Sequence, residues 1–236
     1  MRRFLLPAAI AAIAATAAST PLAAQVTVST GTPTEHIGPL GIDSQLGPIP
    51  TAIAQTIVAP IGANYLQSFT FYFTNFINGG SLYLDASVYA FDGSQLTGPA
   101  LFASALFLGT NSLSDVPVTF GTAADPLNIL LGPSTTYALV LSAVGGASLT
   151  PDGSSVLVGA SSTDAYTDGA LFFSTDPSAP LTFSEAGYPP DAAFSATFTS
   201  APVTSTPEPA SLMLVATGVA GLGGMVVRRR KNARAE

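Results

Sequence analysis

The sequence predicts an all-β protein. Its body is one antiparallel β-sandwich, with a jelly roll among the forms open to it, set between an N-terminal signal peptide and a C-terminal transmembrane helix. Three observations carry this. Short apolar runs, several of them strictly alternating, are separated by turn formers. Of 22 Gly and 19 Pro, 18 and 15 are spread through Gln25–Ser205, where no long stretch keeps helical periodicity. All seven basic residues sit at the two ends, so the ends read differently from the body.

At the N-terminus, Met1-Arg2-Arg3 is a basic start and Phe4 to Ala18 is apolar and Ala-rich. Ser19-Thr20-Pro21-Leu22-Ala23-Ala24 then supplies small residues and a turn former. This order is that of a secretory signal peptide, residues 1–24, removed after Ala24 by the general secretion machinery. Residues 25–50 read as a Gly/Pro-rich arm with a first strand. The sandwich domain is placed at 51–199, opening with a strand at Ile53–Val58.

Ser68–Phe76 sets Phe69, Phe71 and Phe73 on one face, and Ser81–Phe91 sets Leu82, Leu84, Ala86, Val88 and Ala90 on one face. With Asn78-Gly79-Gly80 between them, the two read as a β-hairpin. Leu101–Leu108 is apolar on both faces, as in a central strand or a short buried helix. Further strands are expected at Val116–Phe120, Thr135–Val144, Ser155–Val158, Ala170–Ser174 and Ala192–Thr199. Residues 200–206 form a linker.

Pro207-Glu208-Pro209 then leads into Ala210–Val227, a run without a charge. As a helix it spans about 27 Å, close to the roughly 30 Å hydrocarbon core. Arg228-Arg229-Arg230-Lys231 follows and holds its end in the cytoplasm by the positive-inside rule.

Charge decides what the body can do. Between Gln25 and Thr206 there is no Lys or Arg, against twelve Asp and Glu. Phosphates cannot be neutralised, which excludes nucleic-acid binding. P-loop and Schiff-base lysines and arginine clamps are excluded too. With no Cys there is no thiol chemistry, no cysteine-bearing zinc site and no disulfide, although export would permit one.

Candidate chemistry is sparse. His36, the single histidine, would have to serve any Ser-His-Asp triad, and its Gly/Pro-rich surroundings make it a solvated arm residue instead. Glu35, Glu185 and ten aspartates could supply a carboxylate pair for hydrolysis, but most of the aspartates stand in turns such as Asp92-Gly93 and Asp152-Gly153. Asp164 and Asp168, four apart in a loop, are candidate calcium ligands, and no other cofactor is implied. Tyr83 and Tyr89 share a strand face with Asp85 and Ser87, a combination that could contact a glycan or form a second packed layer. Phe69, Phe71 and Phe73 read as core.

The segment Thr206–Glu236, with Pro207-Glu208-Pro209, a small-residue and Leu-rich span and the Arg228–Lys231 cluster in that order, resembles the PEP-CTERM sorting signal of Gram-negative bacteria. The resemblance implies recognition by an exosortase, a membrane protease-transpeptidase, at Pro207, Glu208 and Pro209. It implies a transient inner-membrane span with Arg228, Arg229, Arg230 and Lys231 as the stop signal. It further implies delivery to the cell surface in bacteria that form polysaccharide-rich biofilm. Within the body, the rhythm of Ala90–Ser104 and Thr136–Leu141 resembles lectin-like sandwich modules. The expectation is a non-catalytic surface or matrix protein with a structural or adhesive role. A lectin-like module for extracellular polysaccharide is the alternative, and a carboxylate hydrolase the third reading.

Overall fold

The computed structural model describes residues 24–42, 49–77, 82–108, 114–143, 153–175 and 183–203. Residues 1–23 of the expected signal peptide, residues 207–236 with the expected span, and the Asn78-Gly79-Gly80 turn lie outside the described residues. Among the described residues no helix is long and apolar enough to cross a membrane.

The described chain forms fifteen strands in two antiparallel sheets. In order they are β1 (Gln25–Ser29), β2 (Glu35–Ile42), β3 (Ala52–Val58), β4 (Tyr65–Ile77), β5 (Tyr83–Phe91), β6 (Leu96–Ala103), β7 (Phe107–Leu108) and β8 (Val116–Phe120). There follow β9 (Ile129–Leu130), β10 (Thr136–Ser142), β11 (Ser154–Ser161), β12 (Leu171–Ser174), β13 (Ser184–Glu185), β14 (Asp191–Ala192) and β15 (Phe194–Thr199). The first sheet runs β1-β15-β4-β11-β14, with β2 on β11 and β8 and β9 on β4. The second runs β13-β12-β3-β10-β5-β6, with β7 on β5.

The thirteen-residue β4 organises the first sheet. Its Tyr65–Phe71 half pairs with β15, and its Phe73–Ile77 half with β11. A bulge opposite Thr197/Phe198 inserts one residue between Leu66 and Ser68. That insertion inverts the pleat, so Leu66 and Phe69 both face inward and are fully buried.

The inward face of the first sheet is rich in phenylalanine, and that of the second is mainly aliphatic. Phe69, Phe71, Phe73, Phe194 and Phe198 of the first sheet meet Ile53, Ile57, Leu84, Val88, Leu139 and Leu141 of the second. Phe69 stacks on Phe120 at 4.9 Å and stands edge-on to Phe102, reaching β6 across the sandwich at 6.0 Å. A smaller cluster lies on the outer face of the second sheet, where Ala52, Ala54, Ala138 and Val140 gather with Phe91 and Phe183.

Three sequence expectations change. The Ser68–Phe76 and Ser81–Phe91 strands do not form a hairpin: β4 and β5 belong to different sheets. Each has a clean apolar face, and both faces enter the same core, which requires the strands to sit in facing layers. Leu101–Leu108 is neither a central strand nor a helix. It is the end of the edge strand β6, a connection and β7, with Phe102 and Phe107 turned inward and Leu101 and Leu106 exposed. Residues 25–50 are more than one strand and an arm, because β2 pairs along β11 from Glu35 to Ile42.

Phe71 is fully buried, and its backbone pairs with both Phe194 and Val118. Phe71→Ala should lower the unfolding free energy by about 3–5 kcal/mol, the range for large-to-small aromatic deletions in a core. A urea denaturation midpoint equal to that of the parent would show that the interior is not packed around β4.

Candidate functional site

Gln55 is a fully buried polar residue. It sits on β3 between Ile53 and Ile57, on the inward face of the second sheet. Its Nε2 donates to Asp191 Oδ1 at 3.0 Å, and its Oε1 accepts from the Ala192 amide at 2.7 Å. Asp191 and Ala192 form β14 of the first sheet, so this side chain bridges the two layers. The other Asp191 oxygen accepts from the Ala165 and Tyr166 amides, each at 3.0 Å. One carboxyl therefore holds the loop between β11 and β12.

Further contacts clamp that loop. The Tyr166 ring is buried edge-on to Phe194 at 5.6 Å, and its hydroxyl accepts from the Val58 amide at 3.0 Å. Thr56 Oγ1 accepts from the Ala170 amide at 2.8 Å and donates to the Ala170 carbonyl at 3.1 Å. Gly169 lies so close to β3 that an added Cβ would stand 2.1 Å from the Thr56 carbonyl oxygen, a place only glycine can fill. Burial pushes the Tyr166 hydroxyl above its ordinary range, and the charges of Asp168 and Asp191 add to the rise against the Val58 amide.

The clamped loop presents Asp168 to a cleft at one end of the second sheet's outer face. Phe91, Asp92, Thr56, Thr136, Asp168 and Phe172 line it, and its volume is about 370 Å³. Asp92 Oδ1 accepts from the Ser94 and Gln95 amides at 3.0 and 2.8 Å and from Ser94 Oγ at 3.2 Å. These bonds fix the turn and hold the Asp92 carboxyl below its ordinary 3.8. Phe91 and Phe172 meet at a centroid distance of 4.9 Å.

A second cavity, about 180 Å³ and mainly apolar, opens between the sheets beside Ile37, Leu40, Ile53, Leu171, Phe173 and Tyr188. Tyr188 is exposed, and its hydroxyl donates to Glu35 Oε1 at 2.7 Å, which raises the phenol above its ordinary value.

Asp164 and Asp168 are both exposed on the clamped loop; Asp168 lines the cleft, and Asp164 adds its charge near Asp191. Among the described residues no group of three or more His, Asp or Glu is arranged to hold a metal ion. Tyr83 and Tyr89 are half-buried, and Tyr89 packs on the outer-face cluster with Phe91. His36, expected as a solvated arm residue, lies on β2 with Nε2 2.8 Å from Asp115 Oδ1. Sequence reasoning missed Gln55 and Asp191. The available signal was a polar residue at an inward position of an apolar strand.

The two ends of the body lie side by side. Gln25 pairs with Thr199, and the Ser200 amide donates to the Ala24 carbonyl at 3.3 Å. Beyond β15 the chain is held at Val203, whose amide and carbonyl bond the two ends of the Asn128 side-chain amide at 2.8 and 2.9 Å. The exit toward the C-terminal segment is thus fixed next to the cleavage position expected at Ala24.

Residues 205–231 match the family model of the PEP-CTERM protein-sorting motif. The chain carries a PEP-CTERM sorting motif. The match contains Pro207, Glu208 and Pro209 and the basic residues Arg228–Lys231. A PEP-CTERM motif supports export and processing by an exosortase. No curated protein and no solved structure matches the chain.

Burial pushes the Asp191 carboxyl above its ordinary 3.8, against the pull of the Tyr166, Gln55 and Ala165 donors. The native state then holds that proton more tightly than the unfolded chain does. Its contribution to stability is full below 3.8 and is lost as pH rises through the raised native value. Relative to Asp191→Asn, which stays neutral, the parent should lose stability as pH climbs through that interval. Denaturant curves for both proteins taken across it check this, and pH profiles that run parallel would refute it.

Proposed function

We propose that this is an exported, exosortase-sorted protein of the cell surface or extracellular matrix, whose β-sandwich serves a non-catalytic structural or adhesive role. The observation that carries the reading is the PEP-CTERM motif at residues 205–231, which a short connection joins to the last strand, ending at Thr199. The signal peptide 1–24 starts export. The span 210–227 then holds the chain in the inner membrane until an exosortase acts at Pro207-Glu208-Pro209, and Arg228–Lys231 keeps the tail in the cytoplasm.

The geometry is consistent with that sequence of events. Ala24 and Ser200 are hydrogen-bonded neighbours, so both membrane-directed segments leave from one pole of the sandwich. The rest of the domain is then free to project from the membrane. Twelve acids and no Lys or Arg make the exported body strongly anionic, which favours a soluble, dispersed surface domain.

Glu208→Ala should abolish processing and leave the C-terminal span attached. Intact mass and membrane fractionation of the exported protein read this out. A mature variant that still lacks the span would show that the exosortase does not act through this motif.

A further inference from the structure

The cleft beside Asp92 and Asp168 belongs to none of the roles assigned so far. Its walls come from four separate segments: the end of β5 and its turn, the start of β10, the middle of β3, and the clamped loop running into β12. At about 370 Å³ it lies within the range of small-molecule sites.

One of its two carboxylates is pre-set by its own turn. Asp92 spends Oδ1 on its own turn, which leaves Oδ2 for a ligand. Asp168 has no hydrogen-bond partner among the described residues, and its backbone is held by the contacts of Tyr166, Gly169 and Ala170. The Thr136 hydroxyl adds a group that can both donate and accept. Carboxylates only accept, so the occupant must bring donors. The same cleft has an apolar wall in Phe91 and Phe172, which a bare cation would not need. No third His, Asp or Glu joins the two aspartates among the described residues to complete a metal site.

A ligand that is rich in hydroxyl donors and apolar on one face is a sugar ring. Charge narrows the choice, because uronate-, sulfate- or phosphate-bearing polymers are repelled by a body with twelve acids and no Lys or Arg. We propose that this cleft binds a neutral saccharide unit, its hydroxyls donating to the carboxylates of Asp92 and Asp168 and its C–H face resting on Phe172, which the buried Phe91 backs. The inference rests on the adhesive reading above and gives it a ligand class. It also moves the glycan contact away from Tyr83 and Tyr89, toward the end of the sheet.

The test is calorimetric titration of the mature exported protein with neutral glucan, galactan and mannan tetrasaccharides. Alginate tetrasaccharide is the anionic comparator, and every titration is run in EDTA. At least one neutral tetrasaccharide should bind and alginate should not. Asp168→Asn, which keeps an exposed side chain of the same shape, should weaken binding about tenfold or more, the loss expected for a charge-assisted hydrogen bond. Phe172→Ala should weaken it too. Asp164→Asn, on the same loop but outside the cleft, should bind as the parent does. The proposal is overturned if no neutral tetrasaccharide binds, if binding appears only with added calcium, or if Asp168→Asn binds unchanged. Such a failure leaves the outcome for Glu208→Ala untouched, so the sorting reading stands or falls separately.

Discussion

A buried carboxyl in a body without Lys or Arg must be satisfied by neutral donors, and Asp191 shows how this fold does it. Its two oxygens take up the Gln55 side-chain amide and two consecutive backbone amides. Because Gln55 belongs to one sheet and Asp191 to the other, the arrangement ties the two layers together by hydrogen bonds at one place in the interior. Removing one partner would leave a buried polar group unpaired, which costs about 1–3 kcal/mol. The same bonds set the loop that carries Asp168, so an interior interaction governs a surface feature.

Around that bridge the interior is held by shape. No cysteine is present, so cohesion rests on strand pairing and on the aromatic side chains of β4, β8 and β15 against the aliphatic face of the second sheet. The outer face of the second sheet is built differently. Small residues at Ala52, Ala54 and Ala138 let Phe91 and Phe172 approach each other across the strands, and that approach forms one wall of the cleft.

Alternation in β4 and β5 was legible in the sequence and placed their inward residues correctly, from Phe69 through Val88. What alternation cannot encode is the layer to which a strand belongs. A short turn between two amphipathic strands suggested pairing, while burial of both faces against each other required separation. Leu101–Leu108 misled for a related reason, since a strand at a sheet edge can turn apolar side chains both into the core and along its rim. The sorting motif was readable in full because it is linear. Asp191 was not, because its role depends on Gln55, 136 residues away in sequence. The cleft was equally hidden, being assembled from four segments that meet only after the sheet has formed.

The coupling between Gln55 and Asp191 is therefore the quantity to measure. A double-mutant cycle of Gln55→Ala and Asp191→Ala, followed by denaturant unfolding, should give an interaction energy of about 1–3 kcal/mol, as for residues within one buried polar network. Single-mutant effects that sum to the double mutant within about 0.5 kcal/mol would contradict the account. They would mean that the sheets and the Asp168 loop are held independently of this bridge.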